Sequence, residues 1–212
     1  MNELVLYTNP QSRGRMAHWM MEELGLPYKT VWLEYPAMKD AAYLAINSMG
    51  KVPALKHGDA IVTETPAICA YLADCFPAQK LIPPAGHPSR AAYFRWLFFA
   101  AGPLEAAVTA KAMGWQLEEG RQRMAGFGTY ADALNAIEQA LLPGPHICGE
   151  QFSAADVYVG SHLGWGLMFG TVEKRPVFEA YVQRLYARPA AIRANQINET
   201  YMQSNLQAQQ PN

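Results

Sequence analysis

Hydrophobic positions follow two rhythms along the chain. In the first third, short apolar runs alternate with one-sided helical patterns. Leu4-Val5-Leu6-Tyr7, stopped by Asn9-Pro10, has the length and continuity of a buried strand. Ser12 opens a helix predicted to reach about Leu24, closed by Gly25 and Pro27, with Met16, Trp19, Met20 and Leu24 largely on one side. Residues 28–32 read as a second strand and 38–46 as a short helix. Residues 52–55 and 60–63 read as two short strands joined by His57-Gly58-Asp59, a tight-hairpin signal. A further helix is predicted over 66–75, with Pro66 where a missing N–H does no harm. The order strand-helix-strand-helix-strand-strand-helix implies a parallel βαβ unit followed by a hairpin, hence a mixed sheet with helices on its faces.

Beyond this the strand rhythm stops. The stretch FPAQKLIPPAGHPS, residues 76–89, holds four prolines and one glycine and reads as a linker. Long helical patterns then occupy 89–114, 117–142, 154–170 and 176–187, with a shorter one at 189–197 and a polar tail. Gly102-Pro103 should kink the first of these, because proline removes a backbone hydrogen bond and clashes with the preceding turn. The predicted fold class is therefore α/β plus all-α: a βαβαββα domain over 1–77, a linker over 78–88 and an all-helical domain over 89–212.

Composition narrows the function classes. Of 212 residues 50% are hydrophobic and 17% charged, the balance of a packed globular protein, and the net charge of -1 gives a nucleic acid nothing to grip. The most apolar stretch, 91–113, carries Arg95, Glu105 and Lys111 and would be costly in a bilayer, so no membrane partner is expected. The first residues lack the pattern of a secretory signal. Cys69, Cys75 and Cys148 are odd in number and match no metal-ligand spacing, and the five histidines are scattered, so the chain reads as a cytoplasmic protein with reduced thiols and no metal.

Three short segments carry chemistry. At the junction 7–15, Ser12 sits where a helix N-terminus offers unpaired N–H groups and the positive end of its dipole. A thiolate there would have its pKa lowered, a serine hydroxyl could donate one more hydrogen bond to it, and Gly14 lets the backbone come close. On these residues alone, Ser12 reads first as a helix cap, a role serine fills very often. In the run 47–55, proline opening a central strand is unusual; a cis Val52-Pro53 bond would leave the Val52 amide and carbonyl free to pair with an extended peptide. At 63–68, the acid and hydroxyl of Glu64-Thr65 at a helix start could hold an amine and a carboxylate, or Thr65 could simply cap the helix. Together they describe a pocket for a small thiol peptide.

On these segments, along nearly its whole length, the sequence resembles the cytosolic glutathione transferase superfamily, with a thioredoxin-like first domain. The resemblance rests on residues 7–15, Gly50-Lys51-Val52-Pro53, Thr63-Glu64-Thr65-Pro66-Ala67-Ile68 with Tyr71-Leu72, and Phe152-Ser153-Ala154-Ala155-Asp156. The last looks like the family's folding motif and reads physically as a capping box with Asp156 in place of the usual Glu or Gln, plus a staple from Phe152 to Val157. The N-P-x-S-R-G-R opening is most similar to a bacterial branch with a Ser-type site. The resemblance implies that Ser12 holds the glutathione sulfur as thiolate, with Tyr7 the competing hydroxyl and Arg13 a possible assistant. It implies that Lys51 and Val52, beside Pro53, contact the glycyl and cysteinyl parts, that Glu64 and Thr65 hold the γ-glutamyl end, and that Lys39 is a further candidate for the glycyl carboxylate.

It also implies a homodimer, and an apolar electrophile bound between the two halves near Phe99, Gly102 and Glu105. Trp96, Trp165, Met168 and Phe169 read as core. Ser48 stands where relatives commonly have Pro, and Thr65 where they have Ser. No cysteine lies at the first-helix junction, which argues against mixed-disulfide chemistry there. The expected activity is conjugation of glutathione to a small hydrophobic electrophile. A non-catalytic binding protein on the same scaffold and a glutathione-dependent isomerase or peroxidase are the alternatives; the isomerase branch carries a Ser/Cys-rich run that Asn9-Pro10-Gln11-Ser12 does not match.

Overall fold

The computed structural model describes residues 2–118 and 120–208. The chain divides into two compact units, one made of Met1–Gln79 with Ala187–Asn212, the other of Lys80–Tyr186.

The first unit is built on a four-stranded sheet in the order β2-β1-β3-β4, from β1 (Leu4–Thr8), β2 (Lys29–Trp32), β3 (Ala54–His57) and β4 (Ala60–Thr63). β1 runs parallel to β2 and antiparallel to β3, and β3 and β4 form the hairpin. The parallel pair needs a crossover, supplied by α1 (Gly14–Leu24), which ends on Gly25 in the left-handed conformation. A 3₁₀ turn at Pro36–Lys39 and the single turn α2 (Ala41–Leu44) stand where one helix over 38–46 was expected. α3 (Thr65–Cys75) begins one residue earlier than its proline suggested. Alternation along β1 turns Leu4 and Leu6 to one face, while Tyr7 on the other packs, like Leu33, Ile46 and Val52, against a cluster of Met38, Tyr43 and Ala54.

The last helix, α9 (Pro189–Ala208), groups with this unit and is twice the length the sequence suggested. Its pattern is too polar to announce a long helix; what supports it is α1. Arg15 pairs with Glu199 at 2.6 Å, Glu22 with Arg193 at 2.9 Å, and Glu23 with Arg188 at 2.7 and 2.8 Å. Trp32 stacks on Tyr201 with ring centroids 4.0 Å apart. Between these lies His18, wholly buried, its Nδ1 3.3 Å from Asn198 Oδ1 and its Nε2 3.3 Å from Thr30 Oγ1. The Asn198 amide donates to the Ala194 carbonyl at 2.6 Å, which presents its oxygen to His18 and assigns the ring proton to Nδ1.

Burial holds the His18 pKa below its ordinary 6.5, against the opposing pull of Asn198 and Glu22. The unfolded chain therefore binds this proton more readily than the folded one, so the contribution of His18 to stability is complete above about pH 6.5 and declines as pH falls below it. Urea unfolding at pH 7.5 and pH 5.5 should show lower stability at the acid pH, and His18→Gln should flatten that difference. A His18→Gln protein with an unchanged pH slope would contradict the assignment.

The second unit is helical. α4 (Ser89–Phe99) passes through a π-turn at Ala100–Leu104, which contains Pro103, into α5 (Glu105–Ala112). The irregularity expected at Gly102-Pro103 is thus taken up as a widened turn within a continuing helical path. The helix expected over 117–142 exists only as α6 (Tyr130–Leu141), after a short 3₁₀ turn at Gln122–Met124. Glycines at 120 and 128 in the left-handed region interrupt it, and Thr129 and Asp132 form a capping box that starts it late. α7 (Ala154–Phe169) is apolar on most sides and buried along most of its length. α8 (Pro176–Tyr186) lies against it. Close approach is allowed by Gly164, where a Cβ would fall 2.6 Å from Cζ of Tyr186.

The start of α7 forms the capping box read from the sequence. Asp156, fully buried, accepts from Ser153 N–H at 2.9 Å and Ser153 Oγ at 3.1 Å on one oxygen, and from Ile147 N–H and Tyr181 Oη, both at 2.8 Å, on the other. Burial pushes its carboxyl pKa up, and these bonds to the charged form oppose that.

Candidate functional site

Strand register brings the three chemistry-bearing segments to one edge of the sheet. Tyr7 pairs with Ala54 and Ala54 with Thr63. One residue beyond that row stand Thr8, Pro53 and Glu64, so the β1–α1 turn, the turn before β3 and the β4–α3 junction emerge side by side. Neighbouring strands are about 4.8 Å apart, so the three ends span about 10 Å, close to the length of an extended tripeptide at about 3.3 Å per residue.

At the first segment, Asn9 organises the turn. Its side-chain amide donates to the Leu33 carbonyl at 2.8 Å and its Oδ1 accepts from Gln11 N–H at 2.9 Å. The half-buried Ser12 donates its hydroxyl to the Asn9 carbonyl at 2.7 Å and accepts from Gly14 N–H at 3.0 Å. Ser12 thus makes a capping contact two residues on, although α1 itself begins at Gly14. A side chain at Gly14 would overlap Oγ1 of the buried Thr8 and lie 3.0 Å from Ser12 Oγ, so only glycine lets the helix start here. Arg13 is exposed just before the helix. Tyr7 sits half-buried at the end of β1, its ring centroid 5.8 Å from that of Tyr43.

At the second segment the Val52-Pro53 bond is cis. The Lys51 carbonyl accepts from both Tyr43 Oη and Asn47 Nδ2 at 2.7 Å, which pins the turn just ahead of Val52. Among the described residues the Val52 amide and carbonyl have no hydrogen-bond partner. Lys51 and Lys39 are exposed, and Lys39 Nζ donates to the Met49 carbonyl at 3.0 Å.

At the third, Glu64 is an exposed non-glycine residue with φ 67° and ψ 118°. Such a conformation costs on the order of 1–3 kcal/mol and persists only where the surroundings impose it, often at ligand sites. Thr65 is buried as the first residue of α3, and no side chain caps that helix, so capping by Thr65 is not its role.

In the helical unit, Phe99, Gly102 and Glu105 lie at three-residue intervals across the π-turn. Phe99 is half-buried edge-on to Trp96, Gly102 is exposed, and Glu105 is half-buried with a carboxylate oxygen 4.0 Å from His162 Nε2. His162, like the Asn9 hub and the Tyr43–Asn47 pair, was not singled out by sequence. Asn9 and Asn47 each precede a turn, which is the signal that could have found them; nothing local marks His162 or Tyr43. Trp96 is core, whereas Met168 and Phe169 are exposed, so the core assignment fails for those two at the end of α7. Among the described residues no three His, Cys, Asp or Glu side chains cluster closely enough to hold a metal ion. None of the described helices is long and apolar enough to cross a membrane.

Comparison with known proteins identifies the family that shares this mixed four-stranded sheet followed by helices. The family model for the glutathione S-transferase N-terminal domain matches residues 12–75 and that for the C-terminal domain matches residues 116–184. Glutathione S-transferase GstA of Escherichia coli O157:H7 is 28% identical over 189 residues, covering 87% of this chain and 93% of that protein. A glutathione transferase structure from Methylococcus capsulatus is 29% identical at a TM-score of 0.76, covering 93% of this chain and 99% of that one. A sphingomonad glutathione S-transferase solved in complex with glutathione is 27% identical at a TM-score of 0.75, covering 92% and 98%. The chain belongs to the cytosolic glutathione S-transferase superfamily.

Proposed function

We propose that this protein is a glutathione transferase that holds the tripeptide's sulfur as a thiolate at the start of α1 and conjugates it to a small hydrophobic electrophile. The observation that carries this reading is the Tyr7–Ala54–Thr63 row, which sets the three recognition segments beside one another at tripeptide spacing. The sphingomonad relative, solved with glutathione, supports the choice of peptide. Ser12 and the α1 N-terminus stabilise the thiolate, with Tyr7 as the competing hydroxyl. The Val52 amide and carbonyl pair with the cysteinyl backbone, Lys51 and Lys39 face the glycyl carboxylate, and Glu64 and Thr65 hold the γ-glutamyl amine and carboxylate. The helical domain supplies Phe99, Gly102 and Glu105 to the apolar substrate.

In the reaction the thiol proton leaves to solvent, the sulfur lone pair forms a bond to the electrophilic carbon, and the leaving group departs with its electron pair. The protein contributes thiolate stabilisation and proximity, without a metal or a covalent enzyme intermediate. A cytoplasmic homodimer is part of the proposal. Retention on immobilised glutathione, followed by conjugation of an aryl halide, tests it. Retention without conjugation of aryl halides or epoxides would point to a non-catalytic binding protein. Turnover confined to isomerisation or peroxide reduction would point to the other alternative.

A further inference from the structure

We infer that Asn9 is the positioning residue of the thiolate site, acting through Ser12 without touching the peptide. The inference rests on the reading of Ser12 as the hydroxyl that holds the sulfur. Asn9 is 3% exposed, so it is not a ligand contact. Its polar groups are nevertheless bonded to the turn that carries Ser12. The side-chain amide reaches across to the Leu33 carbonyl at 2.8 Å and fixes the turn to the segment following β2. Oδ1 receives Gln11 N–H at 2.9 Å, closing an Asx-type turn. The main-chain carbonyl receives Ser12 N–H at 3.2 Å and the Ser12 hydroxyl at 2.7 Å. Two neighbours reinforce the frame: Leu33 N–H donates to the Thr8 carbonyl at 2.9 Å and Tyr35 Oη to the Gln11 carbonyl at 3.0 Å.

Asn9 thus does two things to Ser12. It fixes the backbone on which Oγ is carried, at the mouth of α1 where Gly14 N–H already donates to that oxygen. It also offers the Ser12 hydroxyl proton an acceptor that competes with the sulfur. A hydroxyl carried on a backbone already fixed loses little freedom on turning to the thiolate, which is the advantage of a preorganised donor. Alanine at position 9 removes both side-chain ties and leaves the turn, and Ser12 with it, free to move.

The test measures the pKa of the thiol in bound glutathione, from the ultraviolet absorbance of the thiolate, for the full chain and for Asn9→Ala, Asn9→Ser, Ser12→Ala and the double variant Asn9→Ala/Ser12→Ala. Asn9→Ala should raise that pKa by about one unit, a roughly tenfold smaller thiolate fraction at a given pH below it. Asn9→Ser, which can still accept from Gln11 N–H but cannot reach Leu33, should give a smaller rise and remains informative should the alanine variant not fold. The double variant should lie no higher than Ser12→Ala alone, because Asn9 works through Ser12. A purely structural role would lower the melting temperature and leave the pKa of the bound thiol in place; that result, or additive shifts in the double variant, overturns the inference. A Ser12→Ala protein with the original pKa would instead overturn the reading of Ser12 itself and take this inference with it.

Discussion

Ser12→Ala is expected to raise the pKa of bound glutathione's thiol by about 1–2 units and to slow conjugation at neutral pH by about 10–100-fold. A hydrogen bond to a charged group contributes about 1.5–3 kcal/mol, and each pKa unit is worth about 1.4 kcal/mol, which sets the range. The helix N-terminus remains, so the site should keep part of its preference for the anion. Affinity for glutathione should change far less than turnover, since the rest of the peptide is held at Val52, Lys51 and Glu64-Thr65. Loss of the contact from Gly14 N–H should lower stability by about 1 kcal/mol, the usual worth of a cap. Tyr7→Phe is the matched control. A spectral titration in which Tyr7→Phe raises the thiol pKa and Ser12→Ala does not would exchange the two roles.

Asp156→Ala should have the largest effect on stability. Its carboxylate takes four hydrogen bonds at the buried start of α7, from Ile147, Tyr181 and two groups of Ser153. Alanine would strand the two amides and the tyrosine hydroxyl inside the helical unit, each at about 1–3 kcal/mol. Allowing for relaxation, the loss should reach about 3–5 kcal/mol, the sum of two or three such groups left unsatisfied. Against a total stability of about 5–15 kcal/mol, that predicts a large fall in the urea midpoint. Asp156→Asn keeps one acceptor oxygen and should lose roughly half as much. An Asp156→Ala protein with an unchanged midpoint would contradict this account of the capping box.

Much of this was legible in the sequence, for identifiable reasons. The strand-stop Asn9-Pro10, the hairpin signal at 57–59 and Ser153 with Asp156 are local devices, and local devices can be read one at a time. The α9 helix could not be: residues after 197 are mostly polar, and it is distant partners, Arg15 on Glu199, His18 on Asn198 and Trp32 on Tyr201, that support the extended helix. The helix expected from 117 begins only at Tyr130, because Gly120 and Gly128 hold left-handed backbone and Thr129 caps the helix there. The candidate site divides in the same way. Ser12, Val52-Pro53 and Glu64-Thr65 stood out individually, while their adjacency is a property of strand register. Asn9 read as a strand terminator, because its tie to Leu33 crosses 24 residues of chain.

The central claim is that one edge of the sheet receives glutathione as an extended peptide with its sulfur at the first helix. Isothermal titration of the purified, folded full-length chain with glutathione addresses it most directly. The account predicts saturable uptake, with proton release confined to pH values between the lowered pKa of the bound thiol and the free thiol's value of about 8.5. A folded protein that takes up no glutathione at millimolar concentrations would contradict it.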